Sequence, residues 1–166
     1  SHTAYWYRNI GSQLTLIALD TVNRFGGWQG CLHREQFEWL SHLLDESKDK
    51  YVVLTSHHPL ENLFNGYAPE EERSPALEEE LRRLLEKHPN VILWFSGHVH
   101  DHKITQSRNS DGSHAFWEIR TGSHIDWPQQ SRTIEIVKSN NGKIAIGTVV
   151  FDHAGPVVFS GTPDEL

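Results

Sequence analysis

Three short apolar runs of strand type, separated by two amphipathic segments, limit most strongly what this chain can fold into. The runs are residues 13–20, 51–55 and 91–95. Segment 34–46 has apolar residues at helical spacing, and segment 75–87 carries a stripe of leucines. Continuous apolar strands that alternate with such helices indicate an α/β layer with a largely parallel sheet.

The start of the second helix and the C-terminal third of the chain carry signals of their own. Ser74 is predicted to cap a helix that begins at Pro75, because serine accepts hydrogen bonds from free amides and proline has no amide that needs a partner. After Asp101 the pattern changes to three strand-type runs, at 115–121, 133–138 and 144–151. Since Asn141-Gly142 is typical of a tight hairpin turn, we expect antiparallel strands in this region.

Length and composition exclude several classes of protein. The chain has 166 residues, enough for one domain with a core, and a formal net charge of -7, which argues against general nucleic-acid binding. No apolar run approaches the length of a membrane span, and the single cysteine, Cys31, rules out an intrachain disulfide. Because the chain starts at Ser1-His2 without methionine, we expect that it was processed or cut from a longer protein, and the sequence predicts no localisation.

Histidines follow two of the predicted strands, at the point where each strand ends. His57-His58-Pro59 follows the run at 51–55, and Gly97-His98-Val99-His100 follows the run at 91–95. Ligands of parallel sheets bind beyond the carboxyl ends of the strands, and imidazole suits zinc, iron and manganese. The sequence therefore predicts a metal site at this edge, with Gly97 giving the backbone freedom to bend before the first ligand and Pro59 fixing the other turn.

These residues together resemble a known family. Asp20-Thr21 after a strand, the helix around Gln36-Phe37, the His-His-Pro segment and the Gly-His-Val-His segment are similar to the C-terminal half of a calcineurin-like metallophosphoesterase. The resemblance spans about residues 14–104, and segment 125–132 resembles a bacterial branch of the same superfamily.

The resemblance implies a fold and a metal centre. The fold is half of a four-layer α-β-β-α sandwich, with a mixed sheet and C-terminal antiparallel strands. The centre holds two metal ions (Mn, Fe or Zn) and hydrolyses phosphate mono- or diesters through a metal-bridging hydroxide. By analogy His57 and His98 bind one metal and His100 the other, while His58 faces substrate or supports a ligand. Which of the adjacent pair, His57 or His58, binds the metal stays open.

Three further residues are candidates for a role in the site, and each also has an ordinary structural explanation. Asp20 braces the site or simply caps its strand, and Asp101 accepts a hydrogen bond from a ligand imidazole or is a solvated loop acid. Arg132 meets a phosphate or is a surface arginine. The residues alone do not decide between these roles.

The family's acidic motifs are missing from the sequence. None of Asp-x-His, Gly-Asp-x-x-Asp/Asn or Gly-Asn-His-Asp/Glu is present. We therefore expect residues 1–155 to be the C-terminal portion of a metallophosphoesterase domain, followed by a weakly structured tail at 156–166. By itself this fragment should be inactive and bind metal weakly or not at all.

Its expected partners are a phosphorylated small molecule or macromolecule, the missing N-terminal half, and a second copy paired through the cut sheet. The alternative is a non-catalytic metal- or ligand-binding module that uses the histidines alone.

Overall fold

The computed structural model describes residues 3–109, 111–127 and 129–152, and the chain divides into two compact units, Ser1–Gly122 and Ser123–Leu166. The tail predicted at 156–166 lies outside the described residues, and the predicted domain boundary at 155 stays a prediction. Over the described ranges, no helix is both long and apolar enough to span a membrane.

A six-stranded mixed sheet forms the first unit. Its strands are β1 (Trp6–Ile10), β2 (Leu14–Leu19), β3 (Tyr51–Ser56), β4 (Val91–Ser96), β5 (Lys103–Arg108) and β6 (Ala115–Arg120), and its helices are α1 (Arg34–Glu46) and α2 (Glu78–Glu86). The strand order is β1-β2-β3-β4-β6-β5. The inner strands β2, β3, β4 and β6 are parallel, and β1 and β5 pair antiparallel at the two edges. The predicted mixed α/β class is confirmed.

Both helices pack on one face of this sheet. In the register, Ile17 lies beside Leu54 and Leu54 beside Trp94, so these side chains point to the same face. They form one buried cluster with Leu44 of α1 and Leu85 of α2, all at most 1% exposed. The two further layers of the predicted sandwich stay a prediction.

Two local predictions differ from the structure. Helix α2 begins at Glu78 rather than at Pro75, and no side chain caps it. The reason is that Ala76 pairs with Leu32 through two backbone hydrogen bonds of 2.8 and 3.0 Å, which hold Ala76 in an extended conformation. Strand β6, expected among antiparallel strands, is antiparallel to β5 but parallel to β4.

The second unit is a two-stranded antiparallel hairpin. Strands β7 (Gln130–Lys138) and β8 (Ile144–Asp152) pair along their whole lengths. In the turn, the Ser139 amide donates to the Lys143 carbonyl at 2.9 Å, and Gly142 has a φ of 82°. The hairpin predicted from Asn141-Gly142 is therefore confirmed.

Candidate metal centre

Two histidine-bearing turns begin side by side at one edge of the sheet. Ser56 and Ser96, the last residues of β3 and β4, are neighbours in the parallel register. His57 follows the first and Gly97 the second, and the Gly97 amide donates to the His57 carbonyl oxygen at 3.0 Å. The parallel pairing and this hydrogen bond together bring the two turns into contact.

The second turn bends at its histidines. His98 and His100 have positive φ angles of 70° and 58°, whereas Gly97 does not lie in the left-handed region. The prediction that the backbone bends at Gly97 through the conformational freedom of glycine is therefore wrong. The backbone bends one residue later, at His98. Left-handed backbone costs about 1–3 kcal/mol at a residue other than glycine, and such conformations concentrate at functional sites.

Three imidazoles converge where the turns meet. Nitrogen atoms of His57, His58 and His98 all lie within 4.8 Å of one another. His98 Nδ1 and His57 Nε2 form a hydrogen bond of 3.0 Å. The ring centroids of His58 and His98 are 4.2 Å apart. Among the residues that the structure describes, the cluster is thus a compact group of nitrogen ligands that includes no carboxylate.

The hydrogen bonds of His58 fix its tautomer. Its Nε2 lies 3.0 Å from the Trp28 carbonyl oxygen, which only accepts, so Nε2 carries the proton. Its Nδ1 lies 2.8 Å from Thr21 Oγ1, and that hydroxyl also accepts the His58 amide proton at 3.2 Å. The hydroxyl therefore donates to Nδ1, and burial lowers the pKa of His58, which keeps the ring neutral. Both ring nitrogens of this buried side chain are engaged within the protein.

His98 is also held neutral. Desolvation, followed by the neighbouring imidazoles of His58, His57 and His100, lowers its pKa to about 4. The Trp28 indole stacks on its ring at 5.8 Å between centroids and 20° between planes. A neutral imidazole offers a lone pair to a metal, so this environment favours ligation at neutral pH.

The His57–His98 pair fits a metal ion. Two imidazole nitrogens bound at about 2.1 Å and at right angles lie about 3 Å apart. The two nitrogens here are 3.0 Å apart and belong to an exposed and a partly buried side chain. The separation of these two nitrogens therefore matches the spacing of two imidazole ligands on one metal ion.

The remaining predicted site residues occupy different surroundings. His100 is exposed and is not part of the three-histidine group. Asp20 Oδ1 accepts from the Val22 amide at 3.1 Å, and the Asp20 backbone is held by Gln36. Asp101 Oδ2 accepts from Arg120 at 2.6 Å. Arg132, in the second unit, donates to Thr148 Oγ1 at 3.0 Å. The roles predicted for these four residues stay predictions.

Sequence reasoning missed three residues that shape the site. Thr21 fixes the tautomer of His58, Trp28 covers His98, and Gly30 passes so close to His58 that a Cβ there would lie 2.7 Å from its Cγ. The run of glycines around Trp28 was a signal for close backbone approach, but the sequence does not tell which residue is approached.

Comparison with known proteins identifies the family. The sequence model of the calcineurin-like phosphoesterase family matches residues 3–102, and the chain belongs to this family. No curated protein sequence matches the chain. Among solved structures, it is similar to a dimetal phosphatase from Danio rerio, with a TM-score of 0.52 and 18% sequence identity. The match covers 75% of this chain and 51% of the phosphatase, so the chain spans about half the length of that protein.

Proposed function

We propose that this chain supplies the histidine ligands of a dinuclear metal centre that hydrolyses phosphate mono- or diesters. The observation that carries the proposal is the His57–His98 nitrogen pair, 3.0 Å apart at the carboxyl ends of two parallel strands. Membership of the calcineurin-like phosphoesterase family supports hydrolysis of phosphoesters as the reaction.

In this proposal His57, rather than His58, is the ligand of the adjacent pair. Both nitrogens of His58 already bond to Thr21 and Trp28, and breaking these contacts would leave buried polar groups without partners. His57 and His98 share one metal, His100 binds the other, and His58 orients the turn. Bound Mn, Fe or Zn would supply Lewis acidity toward a phosphoryl oxygen and toward water.

The donor set within these residues is incomplete. Imidazole ligands carry no negative charge that would offset two dications, and the sequence lacks the family's acidic motifs. We propose that the carboxylates come from a segment outside these 166 residues. The chain by itself then binds metal weakly and has little activity, and the substrate is a phosphorylated small molecule or macromolecule.

Self-association is a second partner proposal. All five residues of edge strand β1 are exposed, and Trp6 and Ile10 are each 49% exposed. An exposed edge strand with apolar side chains is a template for pairing with another chain. Sedimentation velocity tests this, and a monomer at all concentrations would contradict it.

The experiment compares His98→Ala with His42→Ala in the complete gene product, assayed on phosphomonoester and phosphodiester model substrates with added Mn²⁺ or Fe²⁺. His42 lies on α1, outside the three-histidine group. We expect His98→Ala to abolish hydrolysis and His42→Ala to keep it. Unchanged hydrolysis in His98→Ala would remove the assignment.

The second candidate function is a non-catalytic metal- or ligand-binding module. It is favoured by a three-histidine group that no carboxylate joins within the part of the chain that the structure describes. The same assay separates the two, because a binding module retains metal affinity but shows no hydrolysis even as the complete gene product.

A further inference from the structure

Arg120 stands out as a buried cation beside the histidine turns. It is the last residue of β6, it is 7% exposed, and it is the neighbour of Ser96 in the parallel register. Strand β6 therefore ends at the same edge as β3 and β4. A guanidinium buried at that point needs carboxylate partners.

Its two partners come from the two histidine turns. Arg120 Nη1 donates to Glu61 Oε1, and Glu61 lies in the 3₁₀ turn Leu60–Asn62, three residues after His58. Arg120 Nη2 donates to Asp101 Oδ2 at 2.6 Å, and Asp101 directly follows His100. One planar guanidinium thus connects the segment that carries His57 with the segment that carries His98.

This connection acts on a turn that needs support. The left-handed backbone of His98 and His100 persists only where surrounding contacts hold it. The planar fork of arginine is preorganised for two carboxylates at a fixed angle, which the point charge of lysine is not. Without the guanidinium, Glu61 and Asp101 would lose the charged group that joins the two segments.

A phosphate-binding role fits Arg120 less well. Both of its terminal nitrogens already face carboxylates, and its side chain is only 9% exposed. The negative charge of Glu61 and Asp101 opposes the approach of a phosphate. Both terminal nitrogens are therefore used by ion pairs within the protein rather than left for a substrate.

We propose that Arg120 is a positioning residue that sets the spacing of His57 and His98 by tying their two turns together. Its relevance to catalysis rests on the proposed function, whereas its effect on the imidazole spacing does not. Arg34 provides a matched control, because it forms a two-nitrogen ion pair with Glu80, at 2.6 and 3.2 Å, and neither residue belongs to the three-histidine group.

The test compares Arg120→Lys with Arg34→Lys in the chain itself. Long-range ¹H–¹⁵N spectra of the metal-free imidazoles, assigned with His57→Ala and His98→Ala, report the His57–His98 hydrogen bond. Calorimetric titration with Zn²⁺ reports metal affinity, and thermal unfolding reports stability. Asp101→Asn, which leaves the guanidinium in place, serves as a second variant with a smaller effect, should Arg120→Lys fail to fold.

We expect Arg120→Lys to shift the His57 and His98 resonances and to weaken Zn²⁺ binding about 10-fold or more. Arg34→Lys should lower the unfolding temperature and leave both other readouts unchanged. The proposal would be overturned if Arg120→Lys and Asp101→Asn both gave the imidazole spectra of the wild type. It would also be overturned if Arg34→Lys showed the same spectral change as Arg120→Lys. If the chain by itself binds no measurable Zn²⁺, as its incomplete donor set allows, the metal-free spectra alone decide the role of Arg120. Unchanged hydrolysis in His98→Ala of the complete gene product contradicts the proposed function instead.

Discussion

At the scale of single residues, the site depends on how closely the backbone approaches His58. Gly30 lies against the ring, and its amide and carbonyl bond to Asn62 and Asn65. The Gly30 segment therefore cannot retreat from His58 without losing backbone hydrogen bonds. A side chain at position 30 would have to displace the imidazole.

We predict that Gly30→Ala destabilises the protein by about 1–3 kcal/mol, the usual cost of overpacking a filled interior. The new Cβ would meet His58 Cγ and Leu63 Cδ2, each at 2.7 Å. Urea denaturation measures the loss, and imidazole ¹⁵N spectra should show His58 separated from Thr21.

Gly97→Ala is the matched control for this prediction. The nearest atom to a Cβ at position 97 is the His57 carbonyl oxygen at 3.9 Å, an ordinary contact distance. We expect a change within about 0.5 kcal/mol. Equal losses of unfolding free energy in the two variants would show that the close approach of Gly30 to His58 does not cause the destabilisation.

The positions of the histidines at strand ends were predictable from the sequence, but the hydrogen-bond partners of their side chains were not. Apolar runs before His57 and His98 implied that both lie at one sheet edge, because parallel strands end together. The hydrogen bonds of His58 depend on Thr21 and on the Trp28 carbonyl, 37 and 30 residues away. No local pattern encodes contacts over such distances.

At the scale of elements, a chain of hydrogen bonds joins the ends of β3 and β4. Trp94 Nε1, on β4, donates to Ser56 Oγ at 2.8 Å, and Ser56 Oγ donates to the His58 carbonyl oxygen at 2.6 Å. The indole of Trp94 is 1% exposed. The buried strand thus supports the turn that carries the histidines.

We predict that Trp94→Phe costs about 1–3 kcal/mol, because it removes the indole N–H that donates to the partly buried Ser56 hydroxyl. Trp39→Phe on α1 is the control, since Trp39 is partly buried and packs on Tyr5 at 4.7 Å between ring centroids. Thermal or urea unfolding of both variants provides the comparison. A loss in Trp39→Phe as large as that in Trp94→Phe would refute the role of the hydrogen bond.

Helices and strands were predictable from the sequence wherever the apolar period was long. The predicted boundaries were wrong where contacts with distant residues set the backbone conformation. The bounds of α1 agree with the predicted segment 34–46. Helix α2 starts three residues later than Pro75, because pairing of Ala76 with Leu32 holds the chain extended. Strand β5 was not predicted, since its residues 103–108 are mostly polar and exposed at the sheet edge.

At the scale of the whole molecule, the first unit has apolar residues on both faces of its sheet. The register row Phe95–Ile119–Ile104 lies on the face opposite the helices, and Ile104 is 50% exposed. A sheet that is apolar on both faces is expected in a fold with further layers. The two further layers themselves stay a prediction.

The most direct test of the account is to locate a metal by anomalous scattering in crystals of the complete gene product grown with Zn²⁺ or Mn²⁺. We predict a peak about 2.1 Å from both His57 Nε2 and His98 Nδ1, with the His58 hydrogen bonds to Thr21 and Trp28 retained. Metal bound only at other histidines, or no peak while the His57 and His98 nitrogens remain bonded to each other, would contradict it.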